Sequence, residues 1–239
     1  MSANALRLAV VVPALDEEHS LPGTLRSLAE QTEPAERIIV ADGGSRDATV
    51  SVARTFGAEV VSAPGRGRGG QVAAAVAQLG DDLILVAHAD MVFPREALAA
   101  VRRALREDPA CPGGCLGHRF EPQRFIYDLI AWYDGCRARW SHSYGDQAQF
   151  FRRANLARLG GFPDQPIMED LQLSHCLRAL GRPCYLNLPV VVSARRFERL
   201  GWWRVLWRNW RFRRAYRRGG LAACRAIYEQ YYALDLAKK

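Results

Sequence analysis

The chain lacks any run of about eighteen uncharged apolar residues, so no segment reads as a transmembrane helix. The apolar stretch at residues 8–12 is too short and too poorly flanked for a secretory signal, which sets the expectation of a cytosolic protein. Paired CxxC spacing is also absent. The six cysteines (Cys111, Cys115, Cys136, Cys176, Cys184 and Cys224) are scattered, and a Pro-Gly-Gly turn separates the nearest two. Neither a zinc site nor a disulfide framework fits that pattern, whereas buried reduced thiols do. Acids are nearly missing from one region: residues 195–218 hold ten arginines and a single acid, Glu198. Their net charge of +9 leaves the rest of this +8 chain at −1. The basicity therefore belongs to one segment and its partner.

What is present is a chain of 239 residues, 49% of them apolar, enough for one α/β domain with a substantial core and an appended tail. Short β-branched runs at residues 8–12, 37–41, 59–62 and 83–87 alternate with helical patterns, the rhythm of a parallel sheet. Leu21, Leu25 and Leu28 stack on one helical face, as do Val72, Val76 and Leu79. Pro94 suits the first turn of a helix reaching about residue 105. After Asp108 the rhythm breaks at Pro109, Pro112, Gly113 and Gly114, and a mixed half follows, with strands expected at residues 117–120 and 147–152. The divisions expected are 1–108, 109–200 and a helical tail, 201–239.

Ligands of open parallel sheets bind beyond the carboxyl ends of the strands. Three of those ends carry acids: Asp16 and Glu17 after the first, Asp42 at the second, and His88-Ala89-Asp90 after the fourth. Clustered carboxylates there suit a hard cation, Mg²⁺ or Mn²⁺, that would neutralise a diphosphate. Ordinary turn chemistry also places Asp, Gly and Ser at strand ends. The stretch Gly65-Arg66-Gly67-Arg68-Gly69-Gly70-Gln71 opens a helix and offers N–H groups and guanidinium groups to phosphate. It is not a dinucleotide fingerprint, which belongs after the first strand, where Pro13 stands. Later, Glu169 and Asp170 open a helical pattern. A base and an acidic first helical turn are both open readings of that pair.

Taken together, residues 11–18 (VVPALDEE), residues 40–47 (VADGGSRD), His88-Ala89-Asp90 and Met168-Glu169-Asp170-Leu171 resemble, in order and spacing, the motif series of glycosyltransferase family 2, whose fold is GT-A. The likeness covers roughly residues 8 to 200. It implies an α/β GT-A fold with a mostly parallel central sheet, and a metal-dependent, inverting transfer from a UDP- or other NDP-sugar, with Mn²⁺ or Mg²⁺ as cofactor. It further implies that Pro13, Leu15 and Glu17 line the nucleotide pocket, that Asp42 holds the base, and that Arg68 and Gln71 border the nucleotide. His88, Ala89 and Asp90 would stand as the DxD motif, with Asp90 and His88 as metal ligands, and Asp170 would be the catalytic base beside Glu169. His88 departs from the usual first acid and brings less negative charge. Asp146 and Gln147 open an expected strand beside the sugar, where acceptor or donor-sugar contact and a merely polar edge strand are both open. The complete motif order, including the tail pattern Arg195-Arg196-Phe197-Glu198-Arg199, is most similar to a compact bacterial subgroup, the arsenosugar-biosynthesis-type glycosyltransferases.

Between residues 201 and 218 a helical projection puts Trp202, Trp203, Leu206, Trp207 and Trp210 on one stripe with Arg204, Arg208 and Arg211 beside it, and Val205, Phe212 and Tyr216 roughly opposite. Such a helix suits an anionic membrane interface, with a polyprenyl-phosphate or other lipid-linked acceptor as alternative to a small molecule. Docking on the catalytic domain and homodimerisation fit it too. Nucleic acid fits least, since the adjoining domain has no basic excess. A non-catalytic binding module is the competing class, and it would not need Asp170.

Overall fold

The structure, a computed structural model, describes residues 6–236, with side chains described as far as residue 223. Cys224 and the far end of the expected tail lie outside those described side chains. The chain divides into two compact units, Met1–Val192 and Ser193–Lys239.

The first unit is built on an eight-stranded sheet. Strands β1 (Leu8–Ala14), β2 (Arg37–Asp42), β3 (Glu59–Ser62) and β4 (Leu83–Val86) are parallel, with β1 at the centre of the order β3-β2-β1-β4. All seven residues of β1 are buried, the near-continuous apolar run of a strand covered on both faces. The sheet continues from β4 through β7 (Gln149–Arg152), β6 (Gly113–Glu121) and β8 (Cys184–Ser193) to the short β5 (Met91–Val92). The β4–β7, β6–β7 and β5–β8 pairings are antiparallel, which makes this a mixed α/β sheet.

Helices follow the parallel strands: α1 (Leu21–Ala29), α2 (Thr49–Thr55), α3 (Gly67–Val76) and α4 (Ala97–Glu107). Leu21, Leu25 and Leu28 of α1 are buried, each worth about 2 kcal/mol relative to exposure. Val72 and Val76 of α3 join Ile39, Ala41, Ile84 and Phe151 in one apolar cluster that also takes Leu173 and Leu177 of α7 (Glu169–Leu180). Pro94 lies three residues ahead of α4, where its carbonyl accepts the Ala97 N–H, so it precedes the helix rather than opening it.

Two expectations about the mixed half change. Gly113 and Gly114, read as a connection, are the first residues of β6. A Cβ on Gly113 would fall 2.3 Å from the Phe150 carbonyl oxygen, and one on Gly114 2.1 Å from that of Cys184, so these glycines let neighbouring strands approach. The strand expected from residue 147 starts at Gln149 because residues Gly145–Gln147 form a 3-10 turn and Ala148 is left-handed, with φ 42°. The alternation that would put Gln147 and Gln149 on one strand face is broken there, and β7 lies inside the sheet instead of at its edge. The five described cysteines are free thiols, of which Cys111 and Cys115 are buried and Cys136, Cys176 and Cys184 half-buried.

In the second unit, α8 (Arg195–Leu200) is followed by α9 (Trp202–Leu236), which is interrupted at Gly219 and Gly220 by non-helical backbone. Trp202, Trp203, Trp207 and Trp210 form an exposed stripe, while Val205 and Phe212 are buried. Arg211 lies 4.8 Å from the Trp207 ring centroid and Arg214 5.3 Å from that of Trp210. No helix among the described residues is long and apolar enough to cross a membrane.

Candidate active site

The strand register brings the loops after β1 and β2 together. Ala14 pairs with Asp42, and Asp42 with Ser62. Hydrogen bonds then lace the two loops: the Asp16 N–H donates to Ser45 Oγ (3.0 Å), Glu17 N–H to Thr49 Oγ1 (2.8 Å), and Arg46 N–H to Asp16 Oδ1 (2.8 Å). Asp42 is buried, and its carboxylate accepts the N–H groups of Gly44 (3.0 Å) and Ser45 (3.2 Å). This is the turn chemistry the sequence left open, and it fixes the shape of the loop. Oδ2 also takes a longer share of the Ser45 N–H (3.3 Å), while Oδ1 keeps a second lone pair. Pro13 is buried, Glu17 is half-buried and Leu15 is exposed. The Gln71 side chain, from α3, lies over Gly43: a Cβ there would fall 2.1 Å from Gln71 Nε2.

The next segment is held by α1. Buried Thr24 donates its hydroxyl to the Ala89 carbonyl (2.8 Å) and accepts the Met91 N–H (3.1 Å), so Asp90 sits between two anchored neighbours. Ala89 is buried and Asp90 half-buried.

Beyond this loop a second group of residues converges. Arg68 pairs its Nε with Glu169 Oε1, and its Nη2 lies 3.4 Å from Asp170 Oδ2. The Gly145 N–H donates to Asp170 Oδ2 at 2.8 Å. The His88 ring packs on the same glycine, where a Cβ would fall 2.5 Å from Nε2 and 3.3 Å from Asp170 Oδ2. Residues 68, 88, 145 and 169–170 are thus one constellation. Burial and the repelling charge of Arg68 push the His88 pKa down to about 3, opposed by Asp146, so the imidazole is neutral. Burial lifts the Glu169 carboxyl to about 7, against the pull of Arg68 and with the help of the Asp170 charge.

The glycines at the start of α3 serve packing here. A Cβ on Gly67 would fall 2.6 Å from Pro166 Cα, and one on Gly69 2.2 Å from the Gln165 carbonyl oxygen. They let α3 close on the loop ahead of α7 and carry Arg68 to the acidic pair, while Arg66 pairs with Asp164. Gln147, offered as an acceptor contact, is fully buried. Its amide donates to the Asp134 carbonyl (3.4 Å) and accepts the Tyr144 N–H (3.3 Å), so it braces the turn. Asp146 stays half-buried beside it.

Sequence reasoning missed Gly145 as the backbone donor to Asp170. A lone glycine ahead of an acid in a quoted motif was the available signal. It also missed His118 on β6 and Asp134 on α5 (Phe125–Trp140), which join Asp146 in the one group of three His, Cys, Asp or Glu among the described residues whose ligand atoms lie within 4.8 Å of one another. His88 and Asp90 are not in that group.

The family model described as Glycosyl transferase family 2 matches residues 9–161, which takes in the laced loops, the His88-Asp90 segment and Gly145-Asp146. The chain belongs to glycosyl transferase family 2. Among curated proteins none matches it significantly. Solved structures with the same fold include Staphylococcus aureus TarS 1-349 in complex with UDP-GlcNAc, at 18% identity and TM-score 0.66, covering 78% of this chain and 58% of that one. A mannosyltransferase from Pyrobaculum calidifontis in complex with GDP-Man and Mn²⁺ is 24% identical, with TM-score 0.63 and coverage of 87% and 61%. Mycobacterium tuberculosis glucosyl-3-phosphoglycerate synthase with Mn²⁺, UDP and glucosyl-3-phosphoglycerate is 21% identical, with TM-score 0.61 and coverage of 82% and 75%. The family 2 chain thus spans about 60% of the length of TarS 1-349 and of the mannosyltransferase. Its fold is that of these GT-A structures.

Proposed function

We propose that the chain transfers a sugar, a hexose by the company it keeps, from a UDP- or other nucleoside diphosphate sugar to a small-molecule or lipid-linked acceptor, with inversion. The observation that carries this reading is the meeting of Arg68, His88, Gly145 and Asp170 beside the end of β4, next to the laced loops of β1 and β2. The fold neighbours solved with UDP-GlcNAc, GDP-Man and UDP support such a donor. The complete motif order, together with the pattern at residues 195–199, supports the arsenosugar-biosynthesis-type subgroup as the reading of this chain.

Inversion in one displacement needs a carboxylate that takes the acceptor proton as the nucleophile attacks. Asp170 fits that task. Its Oδ2 is oriented by the Gly145 N–H and Arg68, and it stands in the first turn of α7. Glu169 carries the other arm of Arg68. Pro13, Leu15 and Glu17 would wall the nucleotide, Asp42 would receive a base N–H on the second lone pair of Oδ1, and Gln71 would keep that loop in place.

Asp90 and His88 fit a divalent cation. One is a half-buried carboxylate at a strand end, and the other an imidazole kept neutral and so able to coordinate. Mg²⁺ and Mn²⁺ are commonly held by one or two protein groups with substrate phosphates completing the shell. A bound cation would supply the charge that stabilises the departing diphosphate. The Mn²⁺ in two of the fold neighbours supports this assignment.

A lipid-linked acceptor is supported by exposed aromatics in each unit. In the first, Phe125, Leu129, Trp132, Tyr133 and Trp140 line one outer face of α5; in the second stands the tryptophan stripe of α9. Aromatic rings with arginines beside them suit the headgroup layer of an anionic bilayer. Flotation with anionic vesicles should fall when Trp203 and Trp207 are replaced by Ala in the full chain. Unchanged flotation refutes the membrane part alone.

The test of the activity is a screen of NDP-sugars for binding and turnover with and without Mn²⁺. Asp90→Ala should weaken metal-dependent donor binding, while Asp170→Asn should keep binding and lose turnover. Indifference to every nucleotide sugar would sink the assignment.

A further inference from the structure

His118 is completely buried, and neither ring nitrogen has a hydrogen-bond partner. A buried imidazole with two unmade hydrogen bonds carries the desolvation cost of both nitrogens, so something should satisfy it. Its nearest polar neighbours are acids. Nε2 lies 3.6 Å from Asp134 Oδ2, and Asp146 completes the group, with a buried Oδ1 that is also without a partner.

The separations decide between readings. At 3.6 Å the imidazole and the carboxylate are too far apart for a hydrogen bond. Donor atoms that share one cation at about 2.1 Å, however, stand roughly 3.0–3.4 Å from each other; the His118–Asp134 pair is near that at 3.6 Å, and all three ligand atoms lie within 4.8 Å, so a small contraction would close the group on an ion. Arg137 pairs with Asp134 through Oδ1 and is stacked 4.3 Å over the Tyr144 ring, which leaves Oδ2 turned to His118. The donor set is then one nitrogen and two carboxylate oxygens.

We propose that His118, Asp134 and Asp146 form a second divalent-cation site, separate from that of Asp90, with nucleotide playing no part in it. An imidazole among the ligands favours Mn²⁺ or Zn²⁺ over Mg²⁺. The ion would clip β6 and α5 to the 3-10 turn. Gly145, whose N–H holds Asp170 Oδ2, is adjacent to Asp146 in that turn, so the clip would fix the base from behind. Its task is positioning, and it stays off the diphosphate.

The experiment uses the full chain, stripped with chelator and then titrated with Mn²⁺ or Zn²⁺ alone, without nucleotide. Binding is followed by calorimetry and by the melting temperature. We expect one ion bound per chain with a rise in melting temperature, retained in Asp90→Ala. Affinity should fall roughly tenfold or more in His118→Leu and in Asp134→Asn. The second variant keeps the shape of the carboxylate, in case leucine disturbs the core. Metal-free melting temperatures report whether each variant folds. Absence of nucleotide-free binding would overturn the site. Equal binding by wild type and both variants, or binding abolished by Asp90→Ala, would overturn it as well.

Discussion

Glu169 should make this protein less stable as pH rises, and Glu169→Gln should remove that slope. The carboxyl is buried, with Oε2 lacking a hydrogen-bond partner, and sits at about 7 in the folded chain against 4.5 for the free group. A folded-state pKa above the unfolded one means that the native state binds the extra proton. Stability from this group is therefore full below about pH 4.5 and is lost progressively up to about pH 7. Between pH 5 and pH 8 the loss amounts to about 2–3 kcal/mol, because each pH step of one between the two pKa values costs roughly 1.36 kcal/mol and part of the titration is already complete at pH 5. Urea unfolding of wild type and Glu169→Gln at both pH values isolates the contribution, because all other titrations cancel in the difference. The variant should be more stable than wild type at pH 8 by about that amount relative to pH 5. Equal pH dependence, or a wild type that gains on the variant as pH rises, would show that the Arg68 pairing outweighs burial and would refute the reasoning.

Two further substitutions test the constellation and its support. Gly145→Ala puts a Cβ 2.5 Å from His88 Nε2, so the ring or Asp170 must move; we expect turnover to fall roughly 100-fold with a stability loss of about 1–3 kcal/mol, read by steady-state kinetics beside thermal melts. Thr24→Val strands the Ala89 carbonyl and the Met91 N–H in the interior, which should destabilise the chain by about 1–3 kcal/mol and weaken metal-dependent donor binding, whereas Thr24→Ser should restore both in melting and titration assays.

How much of this was legible beforehand depended on how local the signal is. Of the parallel strands, β1 and β4 were the most legible, because burial on both faces demands unbroken apolar runs and both are buried along their whole length, whereas the edge strand β3 exposes Glu59 and Ser62 and shows only a short β-branched run. The α1 face could be read because three leucines at helical spacing need no partner to be recognised. The site loops after β1, β2 and β4 were legible from their acids, since strand ends of a parallel sheet share one edge. The start of β7 was not, because the left-handed Ala148 breaks a two-residue period that sequence alone continues. Nor was the His118, Asp134 and Asp146 group: it joins a strand, a helix and a turn through packing, and no spacing in the chain encodes it. The glycines at 67 and 69 suit a phosphate cradle on sequence grounds, yet their missing side chains leave room for the loop before α7.

The backbone strain points to the same loops as the chemistry. Among the described residues, three non-glycine residues have positive φ: Asp16 at 54°, Ala148 at 42° and Met168 at 61°. Such conformations cost on the order of 1 kcal/mol or more each and persist only where the surroundings enforce them. Asp16 precedes Glu17 in the lacing of the first two loops, Ala148 closes the turn that carries Gly145 and Asp146, and Met168 leads directly into Glu169 and Asp170. Strain spread at random would also fall on surface loops away from these residues. All three lie in segments that lead into the candidate site, so the backbone at Asp16, Ala148 and Met168 is held by tertiary contacts and not by local preference. The imidazole at position 88 is consistent with the crowding of this site: its neutral ring packs on Gly145 close to Asp170 Oδ2, where a carboxylate would instead set a further acid beside Asp146, whose charge already acts on that ring.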